Sequence, residues 1–433
     1  MSAPAIYSLP NELLIAIAVA GQEGDGNLQW TFKPEWTLSH VSRRFRDVIV
    51  GASALWAHID TDLDLVGSFE ILKLYLERSQ AYYISVTLRS SLDMWKTPHE
   101  DSTIVQRLYE IVPHLYHIVK LKIILETLGE AEVLSGPFRD VVAPHLQHLE
   151  IIVADVDDWK PTVEMFSPGA PRLRSLRIDG VQLQLPTAQW TASLTHLNLR
   201  RTQDLNDLAD DPYLAITAQC PLLAHLQLDM TWMSAGAEQI YIPTLKSLYI
   251  SISDSEDNIH LLGILDIFDT PALTEFMVEG THGDQISTLF NSASLPRSSF
   301  PALTSISFVQ RGTCACEFDL PFSLDALSSP PLALFPALTS LTLINQCFTH
   351  TLVEDILGPA SEPWPLLRTV TLCPMKDTVE KVCDALKDAV QSDREHHIPQ
   401  LRLSSALLSR EDWREIGVDV EVFDPKDVLG NFW

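Results

Sequence analysis

The sequence predicts an α/β protein. A short helical headpiece is followed by a solenoid whose repeats share one curved parallel sheet. Three observations point there. Apolar residues recur at helical spacing near the start of the chain. A pattern P-x-L-x-x-φ-x-φ, with φ apolar, recurs from Pro144 onward. The 433 residues are 46 % hydrophobic and 20 % charged, the balance of a globular chain with ample core.

The headpiece reads as three short helices. Pro10 suits a first helical position, where its missing N–H costs nothing, and Glu12 sits in the first turn beside the positive helix end. Leu13, Leu14 and Ile17 make one apolar stripe. Leu38, Val41, Phe45, Val48 and Ile49 form a second, with Arg43, Arg44 and Arg46 on the other side. The arginines read as a solvated face or one that meets an acidic partner. Leu55, Trp56 and Ile59 begin a third apolar cluster. So few residues with so much apolar surface must pack on a neighbour and can leave part of that surface for a partner.

This stretch resembles an F-box. The resemblance rests on L-P-x-E-L-L at Leu9 to Leu14, Ile17, L-S-x-V-S-R-R-F-R at Leu38 to Arg46, and Leu55-Trp56. It implies binding to the Skp-type adaptor of a cullin-RING ubiquitin ligase, and through it to a cullin, while the rest of the chain selects a protein substrate. The adaptor contacts it implies are Leu9, Pro10, Leu13, Leu14, Val41 and Phe45, some of which also hold the helices together. The segment from Gly21 to Glu35 is polar, longer than the family norm, and reads as a loop.

The formal charge of −27 and the pI near 4.7 argue against nucleic acid or an anionic membrane as partner. The acid excess is spread along the chain and serves solubility. Leu13 to Gly21 does not read as a signal peptide, because the residues before it lack Lys and Arg and include Glu12. No run approaches the ~18 apolar residues of a membrane span. Cys220, Cys314, Cys316, Cys347, Cys373 and Cys383 therefore read as reduced thiols of a cytoplasmic or nuclear protein. Cys314 and Cys316 lack the further ligands a structural zinc requires.

The repeated pattern begins at Pro144, Pro171, Ala192, Pro221, Pro243, Pro271, Pro301, Pro336 and Pro365, at spacings of 21 to 35 residues. The alternating φ positions predict a strand, and the leucine before them points into the same core. Proline precedes the strand, where it spoils no ladder bond. One repeat cannot bury its own apolar face, so neighbours stack. Weaker copies sit at Ile84 to Leu88, Ile118 to Ile123 and Leu401 to Leu403. The pattern resembles the irregular leucine-rich repeats often found behind an F-box; it lacks their strict asparagine, so the corner after each strand is closed differently. Return segments read as helix at Thr378 to Val390, or as loop at Asp254 to Asn258 and Ser294 to Ser299. The implied domains are 1–60, the headpiece; 61–410, the solenoid with an N-terminal helical cap at Phe69 to Arg78; and 411–433, a strand from Val418 to Phe423 with a tail.

Side chains between the φ positions face away from the leucine core. Arg177, Asn198, Arg200, Gln227, Asp229 and Tyr249 form the polar half of that face and are the expected substrate contacts. Arg177, Arg200 and Tyr249 are the expected anchors, since Arg and Tyr are enriched among interface hot spots. His148, His196 and His225 share one repeat position, but Ser175 interrupts them, which breaks a metal ladder. Asp155, Asp157 and Asp158 lack EF-hand spacing. His396 and His397 have no carboxylate framework, and no phosphate loop, dinucleotide fingerprint or nucleophile elbow is present. The expectation is a substrate receptor with no catalytic residue, cofactor or metal. Its alternative is a leucine-rich-repeat scaffold with no ligase role.

Overall fold

The computed structural model describes residues 9–23, 33–63, 67–90, 101–154, 161–184, 190–201, 219–230, 239–252, 265, 267–280, 300–310, 335–345, 353, 366–374, 379–392, 400–404, 407 and 420–423. It is mixed α/β, with a large parallel sheet of many strands. The chain divides into two compact units, Met1–Leu194 and Thr195–Trp433. Among the described residues no helix is long and apolar enough to cross a membrane.

The first unit opens with α1 (Asn11–Glu23), α2 (Pro34–Ser39), α3 (Arg43–Gly51) and a 3₁₀ turn at Ser53–Trp56. Proline starts α2, and Ser42 caps α3 by accepting the Phe45 N–H on its Oγ at 3.3 Å. Leu14, Ala18, Phe45, Ile49, Leu55 and Trp56 are buried among these helices. The expected loop from Gly21 to Glu35 is helical at both ends, because α1 runs on to Glu23 and α2 begins at Pro34. The helix α4 (Ser68–Ser79) packs on the 3₁₀ turn and buries Leu72, Tyr75 and Leu76.

Strands follow at β1 (His58–Asp62), β2 (Ile84–Arg89), β3 (Ile118–Leu125), β4 (His148–Val153), β5 (Thr162–Glu164), β6 (Ser175–Asp179) and β7 (Gln182–Gln184). They pair in parallel in the order β1-β2-β3-β4-β6, with β5 and β7 as a separate pair. The sheet thus begins within the third apolar cluster, where Ile59 enters the core from a strand. The helices α5 (Asp101–Ile111), α6 (Leu128–Glu132) and α7 (Ser135–Phe138) lie on return segments.

The second unit carries β8 (His196–Arg200), β9 (His225–Met230), β10 (Ile240–Tyr241), β11 (Ser247–Ile252), β12 (Phe268–Asp269), β13 (Glu275–Glu279), β14 (Ser305–Val309), β15 (Ser340–Ile344), β16 (Thr369–Cys373), β17 (Gln400–Ser404) and β18 (Val420–Phe423). Its parallel order is β8-β9-β11-β13-β14-β15-β16-β17-β18, with β10 and β12 paired apart. The last helix, α8, is Val379–Ser392.

Every copy of the pattern ends in a strand of the large sheet, and its three apolar positions are buried. In register, Leu149 meets Leu176 and Ile151 meets Ile178, while Leu226 meets Leu248 and Leu228 meets Ile250. In most copies the leucine before the strand closes a turn. The N–H of Leu146, Leu173, Leu223, Leu245, Leu273, Leu303 and Leu338 donates to the carbonyl three residues earlier at 3.0 to 3.3 Å. Proline occupies the second position of each of these turns, where its fixed φ is already correct. Ala192 is the exception for a structural reason. Residues Thr191–Ser193 form a 3₁₀ turn, and a proline disfavours helical geometry in the residue before it.

The next contact sets register. The carbonyls of Ala224, Lys246, Thr274, Thr304 and Thr339 each accept two consecutive N–H groups from the following copy, as Thr304 O does from Thr339 at 2.9 Å and Ser340 at 2.9 Å. Threonines strengthen this joint: Thr274 Oγ1 donates to Lys246 O at 3.0 Å, Thr304 Oγ1 to Thr274 O at 3.0 Å, and Thr339 Oγ1 to Thr304 O at 3.1 Å.

Several corners after strands are closed by a left-handed residue, namely Gly180 (φ 83), Arg201 (φ 47), Gly280 (φ 80) and Asn345 (φ 54). At Gly280 an added Cβ would lie 2.1 Å from the Ile252 carbonyl oxygen, so only glycine fits.

Candidate functional site

Two surfaces stand out, one on the headpiece and one on the sheet face opposite the leucine core. On α1, Leu14 and Ala18 point inward, while Leu13 and Ile17, one helical turn apart on the neighbouring stripe, are each 49 % exposed. Val41, in the turn before α3, is 47 % exposed. Pro10 is exposed and Leu9 half-buried. The six residues expected to meet an adaptor therefore separate. Leu13, Val41 and Pro10 are presented, Leu9 in part, and Leu14 and Phe45 belong to the interior, where they hold the helices together.

Arg44 is not merely part of a solvated face. Its guanidinium donates to the Leu9 carbonyl and, at 3.0 Å, to Asn11 Oδ1, fastening α3 to the start of α1. Behind the headpiece lies a buried polar network that the sequence pattern did not suggest. The Tyr75 hydroxyl donates to Glu35 Oε1, Gln22 Nε2 donates to Glu35 Oε2 at 2.9 Å, and Trp36 Nε1 donates to the Tyr75 oxygen at 3.0 Å. Burial raises the Tyr75 hydroxyl well above its usual range, and the Glu35 carboxylate adds to this. Burial lowers the Lys33 ammonium, whose Nζ sits 4.8 Å over the Tyr75 ring, although Glu35 opposes that shift.

In the first unit the outward sheet face is a set of ion pairs. Arg89 meets Asp60 at 2.9 Å, and Glu150 lies between Lys120 at 3.2 Å and Lys122 at 2.8 Å. Burial pushes the Glu150 carboxyl up, but the two ammonium groups outweigh it and hold the group below its ordinary value. Arg177, expected as an anchor, is half-buried, and its guanidinium stands 4.0 Å from the Asp179 carboxylate on the same strand.

In the second unit the face opposite its own leucines changes character from strand to strand. Asn198 and Gln227 are register partners on β8 and β9, and Asn198 Nδ2 donates to Gln227 Oε1 at 2.8 Å. Arg200 and Asp229 follow two residues on and are half-buried. Beyond them Tyr249, Met277, Val309 and Ile344 form one buried apolar cluster with Cys373 at its edge. Tyr249, expected as an anchor, is 4 % exposed and packs within this cluster; Met277 is its register partner on the next strand. Gln227 is likewise covered, at 5 % exposed. Among the described residues, Asn198 Oδ1 and Gln227 Nε2 are buried without hydrogen-bond partners. An unmet buried polar atom costs about 1–3 kcal/mol.

The histidine row is broken as its sequence suggests. His148 faces Ser175, while His196 and His225 stack at 4.3 Å with rings inclined by 15°. Parallel rings aim their in-plane lone pairs side by side rather than at a common point, so the pair is poorly shaped to chelate a metal. Among the described residues no group of three or more His, Cys, Asp and Glu is placed to hold a metal ion. Cys220 and Cys383 are buried and Cys373 is half-buried, and burial pushes the Cys220 thiol up to about 12. Asp155, Asp157, Asp158, Cys314, Cys316, Cys347, His396 and His397 lie outside the described residues. No known family model matches the chain, and no curated protein resembles it closely enough to count as a match.

Proposed function

We propose that this chain is the substrate-recognition subunit of a cullin-RING ubiquitin ligase, its headpiece docking to a Skp-type adaptor and its strand-bearing copies holding a protein target. The observation that carries the reading is the half-exposed apolar set Leu13, Ile17 and Val41 on a helical trio whose interior is already filled by Leu14, Phe45 and Ile49. Apolar side chains left over after the core is complete mark a contact surface. The F-box-like residues in the same stretch supply the identity of that contact. The mechanism is positional. The chain contributes no nucleophile; it brings target lysines close to a charged conjugating enzyme, and proximity supplies the rate.

Co-elution of the purified chain with a Skp-type adaptor tests this. Leu13→Asp and Val41→Asp weaken adaptor binding by about tenfold or more, near 1.4 kcal/mol. Both leave thermal unfolding nearly unchanged, because both positions are exposed. A wild-type chain that fails to capture adaptor, or variants that bind as tightly as wild type, overturns the reading. Loss of adaptor capture with retained target capture leaves a scaffold with no ligase role.

A further inference from the structure

We propose that the Asn198–Gln227 pair reads the main chain of a bound protein segment in extended conformation. The inference rests on the substrate-receptor reading above and names the chemistry of the target. The two side chains are register partners facing away from the leucine core, joined by Asn198 Nδ2 donating to Gln227 Oε1 at 2.8 Å. That bond leaves one acceptor, Asn198 Oδ1, and one donor, Gln227 Nε2, both buried and neither met among the described residues. Gln227 is 5 % exposed. Buried amides in native proteins nearly always find partners. An apolar pair of the same shape would serve the sheet better, so two orphans of opposite sense on one bonded pair point to a partner that arrives from outside.

The ligand must offer a donor and an acceptor close together and carry no charge of its own there. An extended peptide main chain does so at every residue, through its N–H and C=O groups. A carboxylate or phosphate supplies acceptors only and leaves Asn198 Oδ1 unmet. A nucleobase edge offers both, but a chain of formal charge −27 repels the phosphates that accompany it. Asn198, Arg200 and Asp229 are half-buried, so the pair is reached from their side.

The test uses the full chain and a displayed library of random dodecapeptides. Recovered peptides are synthesised, then N-methylated one residue at a time. The combined Asn198→Leu and Gln227→Met variant is compared with wild type. The expected result is a loss of about tenfold or more on N-methylation at one or two positions, and a similar loss in the variant. Its Tm is equal to wild type or higher. Peptides that ignore both the N-methyl groups and the substitutions overturn this inference alone. A Tm several degrees lower in the variant also overturns it, since the pair is then structural. Failure of the wild-type chain to retain any peptide sinks this inference together with the target-capturing half of the proposed function. Adaptor co-elution is read separately.

Discussion

The hydroxyl of Tyr75 donates its hydrogen bond to the carboxylate of Glu35, forty residues earlier in the chain. That single contact joins the second headpiece helix to α4, and Trp36 and Gln22 complete it from either side. Tyr75→Phe leaves a buried carboxylate oxygen short of a donor, at a cost of about 1–3 kcal/mol. Glu35→Ala does at least as much harm. The two changes together cost less than the sum of the separate losses, because they share one network. Urea unfolding followed by tryptophan fluorescence measures all three, with Trp36 and Trp56 as reporters beside Tyr75.

Gly280→Ala destabilises the second unit. Its φ of 80° is unfavourable for alanine, and the new Cβ meets the Ile252 carbonyl oxygen at 2.1 Å, which a backbone atom cannot evade. The expected loss is about 2 kcal/mol or more, read as a lower Tm. Gly51→Ala, where an added Cβ meets nothing within 4 Å, serves as the control and has little effect.

Ala192→Pro restores the repeated pattern yet lowers stability. The 3₁₀ turn at Thr191–Ser193 holds the preceding residue in the conformation that a following proline disfavours. The expected cost is about 1 kcal/mol, the size of an ordinary destabilising substitution. Pro243→Ala costs a similar or smaller amount by a different route, because it frees the unfolded chain. A consensus-driven gain in Tm for Ala192→Pro would contradict this account.

Acid weakens the fold through His196 and His225. Burial lowers both, His196 further through His225 and His225 further through Lys246, so their folded pKa values lie below 6.5. Above 6.5 both states are neutral and stability is complete. As pH falls below 6.5 the unfolded chain takes protons first, and stability declines until the folded form titrates as well. The combined His196→Asn and His225→Asn variant shows a flatter fall of Tm between about pH 7.5 and 5.5. Glu150, lowered from 4.5, keeps its contribution until the solution is more acidic than 4.5, so that later loss survives in the variant.

The sheet was legible in the sequence because two local signals agree at each copy. Alternating apolar positions mark the strand, and proline marks the turn before it, as at Pro243 and Pro301. The outward face was only half legible. Arg177 and Tyr249 look alike as hot-spot candidates, but exposure depends on neighbours that the pattern does not name: Asp179 beside one, Met277 beside the other. The network around Glu35 was not legible at all, since its partners lie 13 and 40 residues away and follow no period. Gly180, Gly280 and Asn345 hint at left-handed corners by residue type, whereas Arg201 does not.

The doubly occupied carbonyls have an evolutionary corollary. In the copies that begin at Pro221, Pro243, Pro271, Pro301 and Pro336, the strand is indexed at its own beginning, by a proline turn and by two amides seated on one oxygen, as at Thr304 O. The alignment of these strands is thus set where each one begins. Insertions and deletions between these strands leave that pairing where it was, so lineages can diversify their connecting segments while inheriting the sheet intact.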